Sequence, residues 1–161
     1  MALRNIRVDG DAALLKKSRP VTEFNDRLHT LIDDMRDTLK SANGVGLAAP
    51  QVGVLRRVVL VMDVLKEELT EDEQIIELIN PEIIFAEGEQ TGQEGCLSVP
   101  GTYGVVTRPQ HVKVRAQDRF GNFFEAEGTD IVARCFCHEI DHLEGHLFTE
   151  FATDLVNEDD E

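Results

Sequence analysis

The stretch CHEIDHLEG at residues 137–145 sets His138, Glu139, Asp141 and His142 into a segment whose other residues are largely apolar. Ile131, Val132, Ala133, Phe136, Ile140 and Leu143 spread hydrocarbon around much of a helix expected from Thr129 or Asp130 to Gly145. Such a helix should be buried, and ionisable groups there are costly unless paired, hydrogen-bonded or bound to a metal. At about 100° per residue, His142 lies about 40° from His138 and one turn further on, so both imidazoles project from one face. Glu139 sits about 100° round, off the ligand pair but within reach of anything bound to the same ion. This is the mechanical content of H-E-x-x-H: two nitrogen ligands and an acid beside an activated water. A catalytic ion of this kind takes three protein ligands and keeps one position open. The helix therefore asks for a third ligand.

The candidates are Cys135, Cys137, His146 and Cys96. Cys137 points about 100° away from His138, on the side opposite Glu139. Cys135 shares the ligand face but lies about 10 Å along the axis from His142. His146 follows Gly145, where the helix is expected to stop, and is about 12 Å from His138. The metzincin spacing would need histidine at position 148, which is Phe148. Cys96 remains, in a separate loop, with Gly95 before it allowing close backbone approach. A thiolate is a strong ligand for Fe2+ or Zn2+.

The rest of the chain bounds the setting. At 161 residues it fits one domain spanning 1–161, with residues 154–161 expected to fray as an acidic tail. Net charge is −15, and no Lys or Arg follows Arg134, which argues against direct binding to nucleic acid. No run approaches the roughly 18 apolar residues of a membrane span, and the N-terminus lacks a secretory signal. Three cysteines without an export signal point to free thiols in a reducing, cytoplasmic setting.

Phe24, Leu28, Leu31, Ile32, Met35 and Leu39 follow a helical period between Thr22 and Ala42. Pro20 and Thr22 mark the expected start, and Gly44 is placed to end this helix in a left-handed conformation. Residues 57–62 read as a buried strand, and Ile75 to Ile79 as another, stopped by Asn80-Pro81. Val112 to Ala116 and the stretch after Gly121-Asn122 alternate, predicting a hairpin. Early helix, antiparallel strands and late helix give an α+β class.

GVGLAAPQ at 44–51 has more small residues than a helix cap needs, and ends in Gln51, an amide that can donate and accept. Taken with EGCLS at 94–98 and HEIDHLEG at 138–145, it resembles the three signature motifs of the peptide deformylases, in matching order and spacing over essentially the whole chain. The resemblance implies antiparallel strands around a central helix, and one divalent metal on Cys96, His138 and His142. It also implies a substrate, the N-formylmethionyl end of a nascent chain, with formate as product. Glu139 would move the proton, and Gln51 with the Leu97 backbone N–H would stabilise the oxyanion. Val45, Ile131 and Cys135 would help to line a pocket for methionine, with Gly46 and Gly95 letting the substrate backbone approach. Glu94 and Arg108 are candidates for an ion pair bracing the cysteine loop.

Ferrous iron is the ion the resemblance implies, while Zn2+, Ni2+ and Co2+ also suit one sulfur and two nitrogens. Position 137 is cysteine where the family usually has glutamine. Some family members dock on the ribosome through a basic C-terminal helix, a mode that the acidic end here does not favour. Two alternatives stand beside this reading: a zinc metallopeptidase cutting internal amides, and an inactive deformylase-like metal-binding protein.

Overall fold

The computed structural model describes residues 2–157. The first long helix, α1 (Asp26–Ser41), buries Leu28, Leu31, Ile32, Met35 and Leu39, as the helical period predicts. It starts later than Thr22. Asn25 caps it, its side chain accepting from the Leu28 amide at 3.2 Å, because Thr22 and Pro20 lie in extended chain before it. At its far end Asn43, with φ 54°, supplies the left-handed residue expected of Gly44. Gly44 is needed for proximity instead: a Cβ there would meet Leu97 Cδ1 at 2.9 Å and Leu39 Cδ1 at 3.0 Å.

The glycine-rich segment then forms a short strand, β1 (Gly46–Ala48), and a 3-10 turn, Ala49–Val52. After it come β2 (Val58–Met62), the single-turn α2 (Glu71–Gln74), β3 (Ile75–Glu87), β4 (Gln90–Cys96) and β5 (Val99–Arg108). The chain continues through β6 (His111–Gln117), β7 (Phe123–Thr129), the late helix α3 (Asp130–Leu143) and β8 (Thr153–Asn157).

Five strands make one antiparallel sheet in the order β1-β2-β3-β6-β7, and three make a second in the order β4-β5-β8. Asn80-Pro81 does not stop β3. The register slips between Ile79 and Glu82, and Asn80 at φ 51° forms a bulge at which the missing Pro81 N–H costs no ladder bond. Residues 154–157, expected to fray, pair instead with β5, Tyr103 opposite Val156 and Thr102 opposite Asn157. The acidic residues 158–161 of the expected tail lie outside the described residues.

β2 explains why its sequence is continuously apolar. Val58, Leu60 and Met62 pack against α1, while Val59 and Val61 face the other way, against α3, so both faces of the strand are covered. Val132, Ala133, Phe136 and Leu143 carry α3 onto that second face together with Leu78, Val112 and Val114. The opposite side of α3 looks toward the smaller sheet, where Arg134 reaches the Val106 carbonyl at 3.0 Å. α3 is thus held between two sheets, and ten of its residues, polar ones included, are buried. No helix among the described residues is long and apolar enough to cross a membrane.

Candidate metal centre

Two turns of α3 and the end of β4 converge. The Cys96 sulfur and one ring nitrogen each of His138 and His142 lie within 4.8 Å of one another, with Sγ 3.4 Å from His142 Nε2. Cys96 reaches them because β4 and β5 form a tight hairpin. The pairing jumps from Gly95–Tyr103 to Cys96–Val99, which turns the cysteine toward the helix. The sulfur thus projects from a strand end, not from a free loop.

The surroundings orient each donor. His138 Nδ1 is 2.8 Å from Glu94 Oε1, so its other nitrogen is left facing Cys96 and His142. Phe148, itself buried, stacks at 6.0 Å against the His138 ring, occupying the place where a metzincin would have its third histidine. Burial, with the nearby charges of His138 and Arg108, presses His142 down to about 3 and keeps its imidazole neutral, as a ligand must be. For His138, burial opposes protonation, but the Cys96 sulfur and Glu94 prevail and raise its pKa to about 10. A cation taking that sulfur and nitrogen would displace the shared proton.

These residues fit a divalent ion. A thiol and two imidazoles suit a first-row metal, Glu94 supplies the outer hydrogen bond to His138, and His142 Nε2 faces the Cys96 sulfur. Cys135 and Cys137 are buried in the core against the larger sheet, and His146 is exposed beside Glu150, so none of them joins the cluster.

Glu94 does more than meet one histidine. It pairs with Arg108 through two bonds of 2.9 and 3.0 Å, and Arg134 donates to it at 2.6 Å. Arg108 also reaches Asp141 at 2.6 Å. Burial pushes the Glu94 carboxyl up, but His138 and Arg108 hold it far below the usual carboxylate range. Sequence reasoning found Glu94 and Arg108 but not Arg134 or Asp141. The available signal was a lone arginine on an otherwise apolar helix face.

Glu139 is 4% exposed and stands beside the cluster, its Oε1 without a protein partner. Burial pushes its pKa up to about 7, and a cation next to it would favour the charged form. Gln51 is buried too. Its Oε1 accepts from the Ala48 amide at 2.9 Å, which turns Nε2 toward Ser98 Oγ at 3.0 Å and Cys96 Sγ at 3.6 Å. Ser98, the residue that fixes this amide, went unnoticed in the sequence although it closes the EGCLS motif. Val45, Gly46, Gly95, Leu97, Ile131 and Cys135 all line a cavity of about 480 Å³ that opens onto His138 and Glu139.

An H-E-x-x-H helix met by a thiol from a separate antiparallel sheet defines an α+β protein with a mononuclear divalent-metal centre. Residues 3–158 match the family model described as polypeptide deformylase. The chain belongs to the polypeptide deformylase family. It is 58% identical over 158 residues to the peptide deformylase of Lachnoclostridium phytofermentans, covering 98% of this chain and 94% of that protein. It is 56% identical over 150 residues to that of Caldanaerobacter subterraneus, covering 93% and 89%. Among solved structures, a peptide deformylase from Legionella pneumophila superposes with a TM-score of 0.86 at 44% identity, covering 94% of this chain and 87% of that one.

Proposed function

We infer that the protein removes the N-formyl group from the N-terminal methionine of newly made polypeptides, releasing formate. The observation that carries this reading is the meeting of Cys96, His138 and His142 within 4.8 Å, with the buried Glu139 beside them and family membership over nearly the whole chain. A divalent cation held by Cys96, His138 and His142 would supply Lewis acidity and lower the pKa of water in the site. Ferrous iron is the ion we assign, and Zn2+, Ni2+ or Co2+ would suit the same donors.

The chain's own residues do the rest. Glu139, buried and unpaired at Oε1, takes the proton of the attacking water and delivers it to the leaving methionine amine. Gln51 Nε2, held in place through Oε1, donates to the oxyanion that develops on the formyl oxygen. The Leu97 backbone N–H is the second donor, and one such donor is typically worth about 3 kcal/mol. Val45, Ile131 and Cys135 contact the methionine side chain in the cavity, and Gly46 and Gly95 admit the substrate backbone. The peptide beyond methionine binds as an extended strand through main-chain bonds, which tolerates varied sequence. We assign these activities to a single domain working in the cytoplasm. A net charge of −15 disfavours docking on RNA through any long stretch of surface.

The test is formate release from a formyl-Met peptide by protein loaded with iron under anaerobic conditions. Cys96→Ala is expected to lose metal and turnover together, while Glu139→Gln keeps the metal and loses roughly a hundredfold to ten-thousandfold in kcat. Cleavage of unformylated peptides at internal bonds would mark a metallopeptidase instead. Metal binding without either activity would mark an inactive relative.

A further inference from the structure

A second cavity, larger than the one at the metal centre, lies elsewhere in the molecule. It measures about 690 Å³ and lies where the chain entering α1 runs beside the segment before β2. Leu28, Leu31 and Val54 line it together with Arg4, Arg19, Arg27 and Arg56, of which Arg19 and Arg27 are exposed. That concentration is unexpected in a chain with 16 basic residues against 31 acidic ones. Arg4 is neutralised by Asp34 at 3.0 Å. Arg19, Arg27 and Arg56 have no carboxylate within 4.0 Å among the described residues. The acid that shares the cavity, Glu23, is hydrogen-bonded to the Asn25 amide at 3.2 Å instead.

The backbone holds two of these cations together. Arg19 and Arg56 form an isolated parallel bridge, with the Arg19 N–H on the Leu55 carbonyl at 3.1 Å and the Arg57 N–H on the Arg19 carbonyl at 3.0 Å. The bridge sets the two arginines side by side on neighbouring segments. Arg57, next along the chain, has its own carboxylate, Glu144 at 2.7 Å, whereas Arg56 has none within 4.0 Å among the described residues.

We propose that this cavity binds a small phosphate-bearing molecule with an apolar or aromatic body, of nucleoside di- or triphosphate type. The guanidinium fork matches phosphate oxygens bidentately and stacks on aromatic planes. Three arginines without a carboxylate partner suit a ligand with more than one negative charge, and Leu28, Leu31 and Val54 beside them suit one with an apolar body. The volume lies within the range of small-molecule sites, about 300–1,000 Å³. A long polyanion is the poorer match, because the chain as a whole carries a net charge of −15. The site is remote from formyl chemistry but not isolated from it. Gly53 and Val54 at its edge directly follow the turn that carries Gln51, whose carbonyl accepts from the Arg7 amide at 2.6 Å.

The test is calorimetric titration of the metal-loaded protein with a non-hydrolysable ATP analogue, adenosine and inorganic phosphate, at low and high salt. The analogue should bind with Kd below about 1 mM, and adenosine and phosphate about tenfold more weakly or not at all. Affinity should fall with salt and drop about tenfold or more in the Arg19→Gln/Arg56→Gln variant. Unchanged far-UV circular dichroism and metal content show that this variant is folded. It should also melt no lower than the parent without ligand, since neither guanidinium has a carboxylate partner to lose. Binding must survive in Cys96→Ala, which separates the cavity from phosphate capture by the metal. No binding at several millimolar, binding indifferent to the double substitution, or binding lost with Cys96 would each overturn the proposal.

Discussion

Gly46 and Glu139 share a space with no room for a methyl group. A Cβ at position 46 would stand 2.5 Å from Glu139 Oε2 and 2.6 Å from Cys135 Sγ, and both side chains are buried and hemmed in by the core. The glycine is thus a packing requirement of the proton carrier, quite apart from any approach of substrate. Gly46→Ala should displace the carboxylate without touching the ligands. Its expected outcome is a kcat lower by about a hundredfold with metal content unchanged, read from steady-state kinetics beside metal analysis. Cys137 makes the opposite point. It replaces a usually polar residue of the family motif, yet it is packed among apolar groups and its thiol is pushed up to about 11 by burial, so it stays protonated and inert.

Helix α1 depends on a cap that a helical wheel cannot locate. The Asn25 side chain satisfies the Leu28 amide, and Asn25→Ala is expected to lower stability by about 1 kcal/mol in denaturant melts with deformylation intact. Both Thr22 and Asn25 are plausible caps by residue type, and the extended backbone that decides between them is set by contacts further along the chain. Periodicity made α1, the β6–β7 hairpin and α3 legible, because each has a face turned to the core, and β2 was legible as an unbroken apolar run. The smaller sheet was not legible. β4 reads QTGQEGC, with only Glu94 fully buried, and β8 is exposed along its length. Strands like these are defined by their partners rather than by alternation. The metal ligands were readable since two of them lie on one helix turn and the third was reached by exclusion. Arg134 and Asp141 were not, because their roles exist only through Glu94 and Arg108, 40 and 33 residues away.

At the scale of the whole molecule, ion pairs tie elements that hydrophobic packing leaves apart. Glu77 on β3 receives Arg36 from α1 at 2.6 Å and Arg119 from the β6–β7 turn at 2.8 Å. Burial raises its pKa, but the two guanidinium groups outweigh that and bring it below the ordinary glutamate value of 4.5. A carboxyl held lower in the folded state stabilises the fold above its unfolded pKa, and that contribution is lost as pH falls through the folded value. Glu77→Gln should therefore cost about 1–2 kcal/mol at neutral pH, and the difference from the parent should shrink as thermal melts are taken well below pH 4.5. Glu94 performs a comparable task where it matters more, since one carboxylate holds β5 through Arg108 and α3 through Arg134 and His138. Stripping the cation with a chelator should then be felt beyond its own ligands. Amide hydrogen–deuterium exchange is expected to quicken along Gln90–Arg108 while the Val58–Met62 amides keep their protection, so the hairpin would report, from a distance, whether the centre is loaded.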